Sequence, residues 1–171
     1  MEKNIDKILE KTISDIEKIY QESKKHFLSE DDFKCTLFSL FEKNIESMNL
    51  SDGLSIHTEV SFYGGNNHLK YRPDLSIFKN EYLNIDDSTF NWSFSEEGVA
   101  LIIEIKFIKK NSKKIYLEIE DDLKKLSELS KNNRDAKNIL FCFDFTSSQY
   151  EKIDLSFKDA NVMFKYIPRK K

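Results

Sequence analysis

The segment VALIIEIKFI, residues 99–108, is the feature that most limits how this chain can fold. Every residue in it except Glu104 and Lys106 is apolar, and most are branched or aromatic. A strand that is apolar on both faces has to be covered on both faces, as in an α/β sheet flanked by helices. We therefore predict a central buried strand here, in a chain of 171 residues that is short enough to form one domain.

Hydrophobic periodicity predicts the remaining elements and gives an α/β order with mixed strand pairing. Ser29, with Asp32 three residues later, predicts the start of the second helix. In chain order, we predict helix 4–25, helix 29–45, strands 54–62, 69–78 and 99–108, helix 115–131, and strands 138–145 and 161–167. The first two predicted strands read as a hairpin around the turn YGGNNH, and Pro73 indicates an edge, a bulge or a strand start. Residues 1–28 would be a helical addition to a core spanning 29–171.

Composition narrows the class of protein. No window resembles a membrane span, and the N-terminus lacks the continuous apolar region of a signal peptide, so we expect a cytoplasmic protein. Cys35 and Cys142 lie among apolar neighbours without metal-ligand spacing, and we expect both to be buried free thiols. The formal net charge of −3 argues against tight non-specific binding of nucleic acid, although lysines are clustered between residues 106 and 137.

Charged residues inside predicted strands need an explanation. Alternation places Glu104 and Lys106 together on one face of strand 99–108, while the other face is wholly apolar. Burial of an ion costs several kcal/mol unless it is paired or bound. One explanation is a Glu104–Lys106 pair on a partly hydrated face, or a Lys106 side chain that extends from the strand end to solvent.

Asp74 favours a second explanation, because it is also a lone acid in a strand-like segment, RPDLSIF. If the two strands are neighbours, the carboxylates of Asp74 and Glu104 come close enough to repel each other unless a divalent cation lies between them. Oxygen ligands without Cys or paired His indicate Mg²⁺ or Mn²⁺ rather than zinc.

The segments RPDLSIF and ALIIEIKF resemble the motifs of the PD-(D/E)xK nuclease superfamily, whose restriction endonuclease-like core runs helix, three strands, helix, strand. The resemblance covers roughly residues 29–145. It implies a nuclease that cuts DNA, or less readily RNA, with Asp74 and Glu104 binding the metal and Lys106 beside the attacking water. Such enzymes serve restriction, phage defence, mobile elements or repair, and the sequence selects none of these.

A third metal-binding acid, common in the superfamily, is left open between Glu30 at the start of the second helix and Glu59 on the first strand. Each also has a plain structural reading, Glu30 as a favourable charge at a helix N-terminus and Glu59 as a solvent-side strand residue. We expect His57 to be an ordinary strand residue rather than a ligand. Some superfamily branches carry a glutamine in the crossover helix; here that helix offers Lys124 and Lys125 as candidate phosphate contacts.

Two other hypotheses remain open from the sequence. In one, the chain keeps the nuclease fold without the chemistry and serves as a binding or assembly module. In the other, the amphipathic first helix mediates a homodimer, although its spacing departs from a strict heptad and favours ordinary packing on the domain.

Overall fold

The protein is built from a mixed five-stranded sheet with helices on both faces. The computed structural model describes residues 2–22, 27–63, 69–86, 88, 91–110, 112–133, 135–146 and 162–170. The helices of these ranges are α1 (Glu2–Glu22), α2 (Glu30–Ser47) and α3 (Lys113–Asn132). The strands are β1 (Leu54–Thr58), β2 (Phe62–Tyr63), β3 (Leu69–Tyr71), β4 (Leu75–Lys79), β5 (Leu83–Asp86), β6 (Asn91–Phe94), β7 (Val99–Ile108), β8 (Lys137–Asp144) and β9 (Val162–Pro168).

The main sheet has the order β1-β4-β7-β8-β9, with β7 in the centre. Strands β1, β4 and β7 pair antiparallel, whereas β7, β8 and β9 pair parallel, with α3 connecting β7 to β8. The predicted α/β class with mixed strand pairing is thereby confirmed.

Burial of β7 on both faces explains its continuous apolar sequence. Leu101, Ile103 and Ile105 belong to the core cluster that also contains the apolar faces of α1 and α2. On the opposite face, Ile102 packs in a second cluster, with the apolar stripe of α3 and with Leu140 of β8. Each face of the sheet therefore has its own core.

The two N-terminal helices form as the sequence indicates. Ser29 caps α2, and the Ser29 and Asp32 side chains form the reciprocal pair of a capping box. The apolar face of α1 is buried in the first core cluster, where Ile8, Ile16 and Tyr20 are fully covered. Lys137 of β8 also forms an ion pair with Asp6 of α1. The apolar side of α1 is thus used in packing within this chain.

The structure corrects several local predictions. Strand 54–62 is divided into β1 and β2, and strand 69–78 is divided into β3 and β4 by Arg72–Asp74. Because Pro73 has no amide hydrogen, it cannot continue the ladder, and β4 begins after it as an internal strand rather than an edge strand. Cys35 is exposed on α2, not buried, while Cys142 is buried; both are free. The predicted turn YGGNNH lies outside the described residues apart from Tyr63.

The hairpin β5–β6 pairs Leu83 with Phe94 and Ile85 with Trp92. Phe94 packs against the second core cluster, whereas Trp92 is 43% exposed. Within the described ranges, none of the helices has the length and apolar character needed to cross a bilayer.

Phe33 provides a test of the core beneath α2. Its fully buried ring stacks on Phe27 and Phe143 at centroid distances of 4.0 and 3.9 Å. We expect Phe33→Ala to lower the free energy of unfolding in urea by about 3–5 kcal/mol, the usual result of truncating a buried Phe. Leu28→Ala, at a side chain that is largely exposed, is the control and should change it little. Equal losses in the two variants would contradict the packing described here.

Candidate active site

The break at Pro73 places Asp74 against the centre of β7. Leu75 is paired with Ile103, so the antiparallel register, continued by one residue, sets Asp74 opposite Glu104 on the same face. Oδ2 of Asp74 accepts a hydrogen bond of 2.8 Å from the amide of Ile105. This amide lies between Glu104 and Lys106 in the chain, so the bond brings together the two segments that the sequence singled out.

Glu104 is a carboxylate in a largely dry position. It is only 9% exposed, and its Oε2 atom has no hydrogen-bond partner among the described residues. Burial first, and the negative charge of Asp74 second, raise the pKa of Glu104 to about 8, against the lowering effect of the Tyr71 hydroxyl. The site is therefore short of positive charge at Glu104.

Asp74 shares this environment to a lesser degree. Burial raises its pKa to about 6, although the Ile105 amide and the Lys34 ammonium both favour the ionised form. Both acids thus hold protons more tightly than carboxylates in water do. Paired carboxylates with raised pKa values in one site are typical of catalytic and metal-binding centres.

Lys106 does not neutralise Glu104 directly, because another carboxylate holds it. Its Nζ lies 3.0 Å from Oδ2 of Asp122 on α3, a residue that is only 4% exposed. Burial lowers the pKa of Lys106, but the nearby charges, Asp122 first among them, outweigh burial and raise it. Lys125 lies 2.9 Å from the other oxygen of Asp122. Lys106 is therefore a firmly protonated cation.

Of the two candidate third acids, Glu30 is more closely connected with these residues. Its Oε1 accepts a hydrogen bond of 3.3 Å from the amide of Phe107, next to Lys106. Its negative charge raises the pKa of both Asp74 and Lys106. Glu30 therefore lies within electrostatic range of the acid of one motif and the lysine of the other.

Glu59 reaches the same region through its backbone. Its amide donates to the carbonyl of Asp74 at 3.1 Å, and its φ of 51° is in the left-handed region, which is uncommon outside glycine. The Glu59 side chain is 52% exposed and lies 2.7 Å from the ammonium of Lys34. Its carboxylate is thus already paired with a cation.

Two residues of this site were not singled out from the sequence. Lys34 on α2 lies 3.0 Å from Asp31, 2.7 Å from Glu59 and 4.0 Å from Asp74, and the hydrogen bond to Glu59 is the main reason that its pKa is raised. Asp122 had a readable signal, since it falls between Ile119 and Leu126 on the apolar stripe of α3. Lys34 had no such signal in the sequence.

The other residues named from the sequence lie in less specific settings. Lys124 is exposed and 3.6 Å from Asp121, whereas the ammonium of Lys125 lies over the ring of Tyr71 at 5.5 Å. His57 stacks on Trp92, and its Nε2 is 3.0 Å from the Ser55 hydroxyl. Burial lowers the pKa of His57, so it is neutral near pH 7.

The donor set fits a divalent cation held by few protein ligands. In the part of the chain that the structure describes, no group of three or more His, Cys, Asp or Glu side chains is arranged to hold a metal. Mg²⁺, however, often keeps several waters and takes only one or two carboxylates from the protein. Asp74 and Glu104 supply two hard oxygen ligands, and the unpartnered Oε2 of Glu104 is available to such a cation.

Comparisons of the chain with protein-family models, with curated proteins and with solved structures gave no match.

Replacing Glu104 with Gln tests the buried charge directly. With its pKa raised, Glu104 stays protonated in the folded state over a pH range in which it ionises in the unfolded chain. Stability from this group is therefore full below about pH 4.5 and is lost as the pH rises towards about 8. In metal-free buffer, we expect Glu104→Gln to be more stable than the parent protein at pH 8, by on the order of 3–4 kcal/mol, and about equal at pH 4.5.

Urea unfolding at several pH values measures this difference. Glu128→Gln is the control, because it makes the same substitution at an exposed glutamate on α3. Its stability should equal that of the parent protein at every pH. A constant difference between Glu104→Gln and the parent across the pH range would show that Glu104 is not a destabilising buried charge.

Proposed function

We propose that this chain is a metal-dependent nuclease with a restriction endonuclease-like core, which hydrolyses phosphodiester bonds of DNA, and less readily of RNA. The observation that carries the proposal is the hydrogen bond between Asp74 and the amide of Ile105. It joins the segment with Pro73 and Asp74 to the segment with Glu104 and Lys106, and in the superfamily pattern these two segments lie side by side. Two acids chosen from the sequence alone, one on β7 and one directly before β4, both have raised pKa values.

The order of elements supports the same proposal. The series α2, β1, β4, β7, α3, β8 follows the helix, three strands, helix, strand arrangement of that core, once the two small sheets are set aside. Fold alone does not determine activity. The argument for chemistry therefore depends on the side chains at the centre of β7.

In this proposal, Asp74 and Glu104 bind Mg²⁺ or Mn²⁺, and Glu30 is the preferred third acid, directly or through water. When bound, the metal would supply a Lewis acid for the phosphodiester and lower the pKa of a water molecule. Asp74 and Glu104 have to be deprotonated to act as ligands, so a higher pH favours this role. Their raised pKa values then predict proton release on metal binding.

Lys106 acts as a cation rather than a general base, because Asp122 holds it in the protonated form. An ammonium beside the scissile phosphate stabilises the negative charge that develops in the transition state. Asp122 is the residue that orients it, from a buried position on α3. By the resemblance, the product carries a 5′-phosphate.

A binding module without catalysis is the second candidate. The observation that favours it is that both lysines near the two acids are already in ion pairs, Lys106 with Asp122 and Lys34 with Glu59. In such a protein, these pairs would be structural, and Asp74 and Glu104 would have no affinity for metal that depends on both of them.

Substitution of the three motif residues tests the proposal. We expect Asp74→Asn, Glu104→Gln and Lys106→Met each to reduce cleavage of plasmid or oligonucleotide DNA in Mg²⁺ or Mn²⁺ by at least about a hundredfold, since each removes a charge from the reacting centre. Asp121→Asn is the matched control, because Asp121 is an exposed neighbour of Asp122 on α3. Cleavage that survives in all three variants would exclude this site as the catalytic one.

Calorimetry with Mn²⁺ separates the two candidates. A nuclease site should bind Mn²⁺ in the parent protein and lose that binding in both Asp74→Asn and Glu104→Gln. The binding module predicts no such dependence on the two acids.

The identity of the third acid is tested by a matched pair of variants. We expect Glu30→Gln to lower cleavage by at least about tenfold and Glu59→Gln to lower it less, because Glu30 influences both Asp74 and Lys106 while Glu59 is half exposed and paired with Lys34. Single-turnover rates at saturating Mg²⁺ measure the difference. The reverse order would assign the role to Glu59.

A further inference from the structure

A cleft of about 650 Å³ lies between β2 and β6, next to the candidate active site. We call it the aromatic groove; Phe62, Tyr63, Trp92 and Phe94 line it, together with the acids Glu59 and Glu96. Trp92 is 43% exposed and Tyr63 is 58% exposed. Large rings exposed together in one concave surface are typical of a binding site.

Trp92 is held firmly in this groove. It stacks on His57 with a centroid distance of 5.2 Å and an interplanar angle of 20°. Phe78 meets it edge-on at 6.1 Å, and Phe94 lies 6.0 Å away on the same face of the hairpin β5–β6. A ring that is already fixed loses little conformational entropy when a ligand stacks on it.

The groove is connected to the candidate active site by short backbone and side-chain contacts. Glu59, which lines it, donates its amide to the carbonyl of Asp74 at 3.1 Å. Arg72, two residues before Asp74, donates from Nε to the hydroxyl of Ser61 in the groove wall at 3.3 Å. The wall of the groove is therefore hydrogen-bonded to the short segment that carries Asp74.

The charges of the groove favour nucleobases over phosphates as occupants. Glu96 would repel phosphates from its interior, while the Glu59 carboxylate is paired with Lys34 and attracts none, and the whole chain carries a net charge of −3. Unpaired bases are neutral, flat and able to stack on aromatic rings, whereas the bases of a duplex already stack on each other. Arg72 at the edge of the groove supplies a cation for the sugar-phosphate backbone outside it.

We propose that the aromatic groove binds the bases of single-stranded DNA and leads that strand into the candidate active site, so that the preferred substrate is single-stranded or has a single-stranded end. The inference rests on the proposed nuclease function for its biological meaning, but base binding in the groove is measurable without cleavage. Stacking of the bases on the exposed rings of the groove provides part of the affinity.

Trp92 makes the test direct, because it is the only tryptophan in the chain. Its fluorescence is followed during titration with a short oligothymidylate, with Ca²⁺ replacing Mg²⁺ to prevent cleavage. We expect saturable quenching by the single strand and at least tenfold weaker binding of the same strand annealed in a blunt duplex. Tyr63→Ala should weaken binding of the single strand about tenfold, while Tyr63→Phe, which keeps the ring, should bind as the parent protein does.

Leu117→Ala is the control for loss of an exposed apolar side chain outside the groove, and it should leave the titration unchanged. Absence of quenching, equal binding of single strand and duplex, or full binding by Tyr63→Ala would each overturn the proposal. A parallel cleavage assay in Mg²⁺ keeps the two ideas separate. Cleavage of duplex without quenching overturns the groove alone, whereas quenching without cleavage supports the groove and counts against the nuclease.

Discussion

The hydrogen bond from the Ile105 amide to Asp74 is the contact on which the candidate site depends. It exists because Pro73 ends the preceding segment and lets β4 begin one residue after Asp74. The register of β4 against β7, continued by one residue, then sets Asp74 opposite Glu104, and its carboxylate accepts from the Ile105 amide. A change in register of one residue between β4 and β7 would move Asp74 to the opposite face from Glu104. The geometry of this strand pair thus determines whether the two acids meet.

The cations near these acids are directed elsewhere. Lys34 lies closer to Glu59 and Asp31 than to Asp74, and Lys106 is held by Asp122. The shortest ion pair of each lysine is therefore with an acid outside the Asp74–Glu104 pair. This leaves Glu104 buried, with an oxygen that has no hydrogen-bond partner in the described ranges and with a pKa of about 8. Protonation of Glu104 neutralises this charge, and in the proposed nuclease a bound divalent cation would compensate it.

Much of the fold could be predicted from the sequence because its signals are local. The apolar run of β7, the capping pair Ser29 and Asp32, and the stripe of α3 each specify one element. The divisions at Thr58–Phe62 and Arg72–Asp74 were missed, because alternation of apolar residues continues across both breaks while the hydrogen-bonded ladder does not. The apolar neighbours of Cys35 in the sequence predict that it is buried, although its own position on α2 faces water.

Some residues of the candidate site could likewise be predicted from the sequence, and others could not. Asp74, Glu104 and Lys106 could be selected because charge in an apolar strand is conspicuous, and Asp122 carried a similar signal on α3. Lys34 and the aromatic groove could not be selected, since a lysine on a helix and a tryptophan in a polar segment are ordinary until tertiary structure brings them to one place. The groove is lined by residues of 58–63 and 92–96, two segments that only the folded chain brings together. Residues that hold a site together are thus visible in the sequence mainly where they break a local pattern, whereas residues that surround it depend on contacts between distant segments.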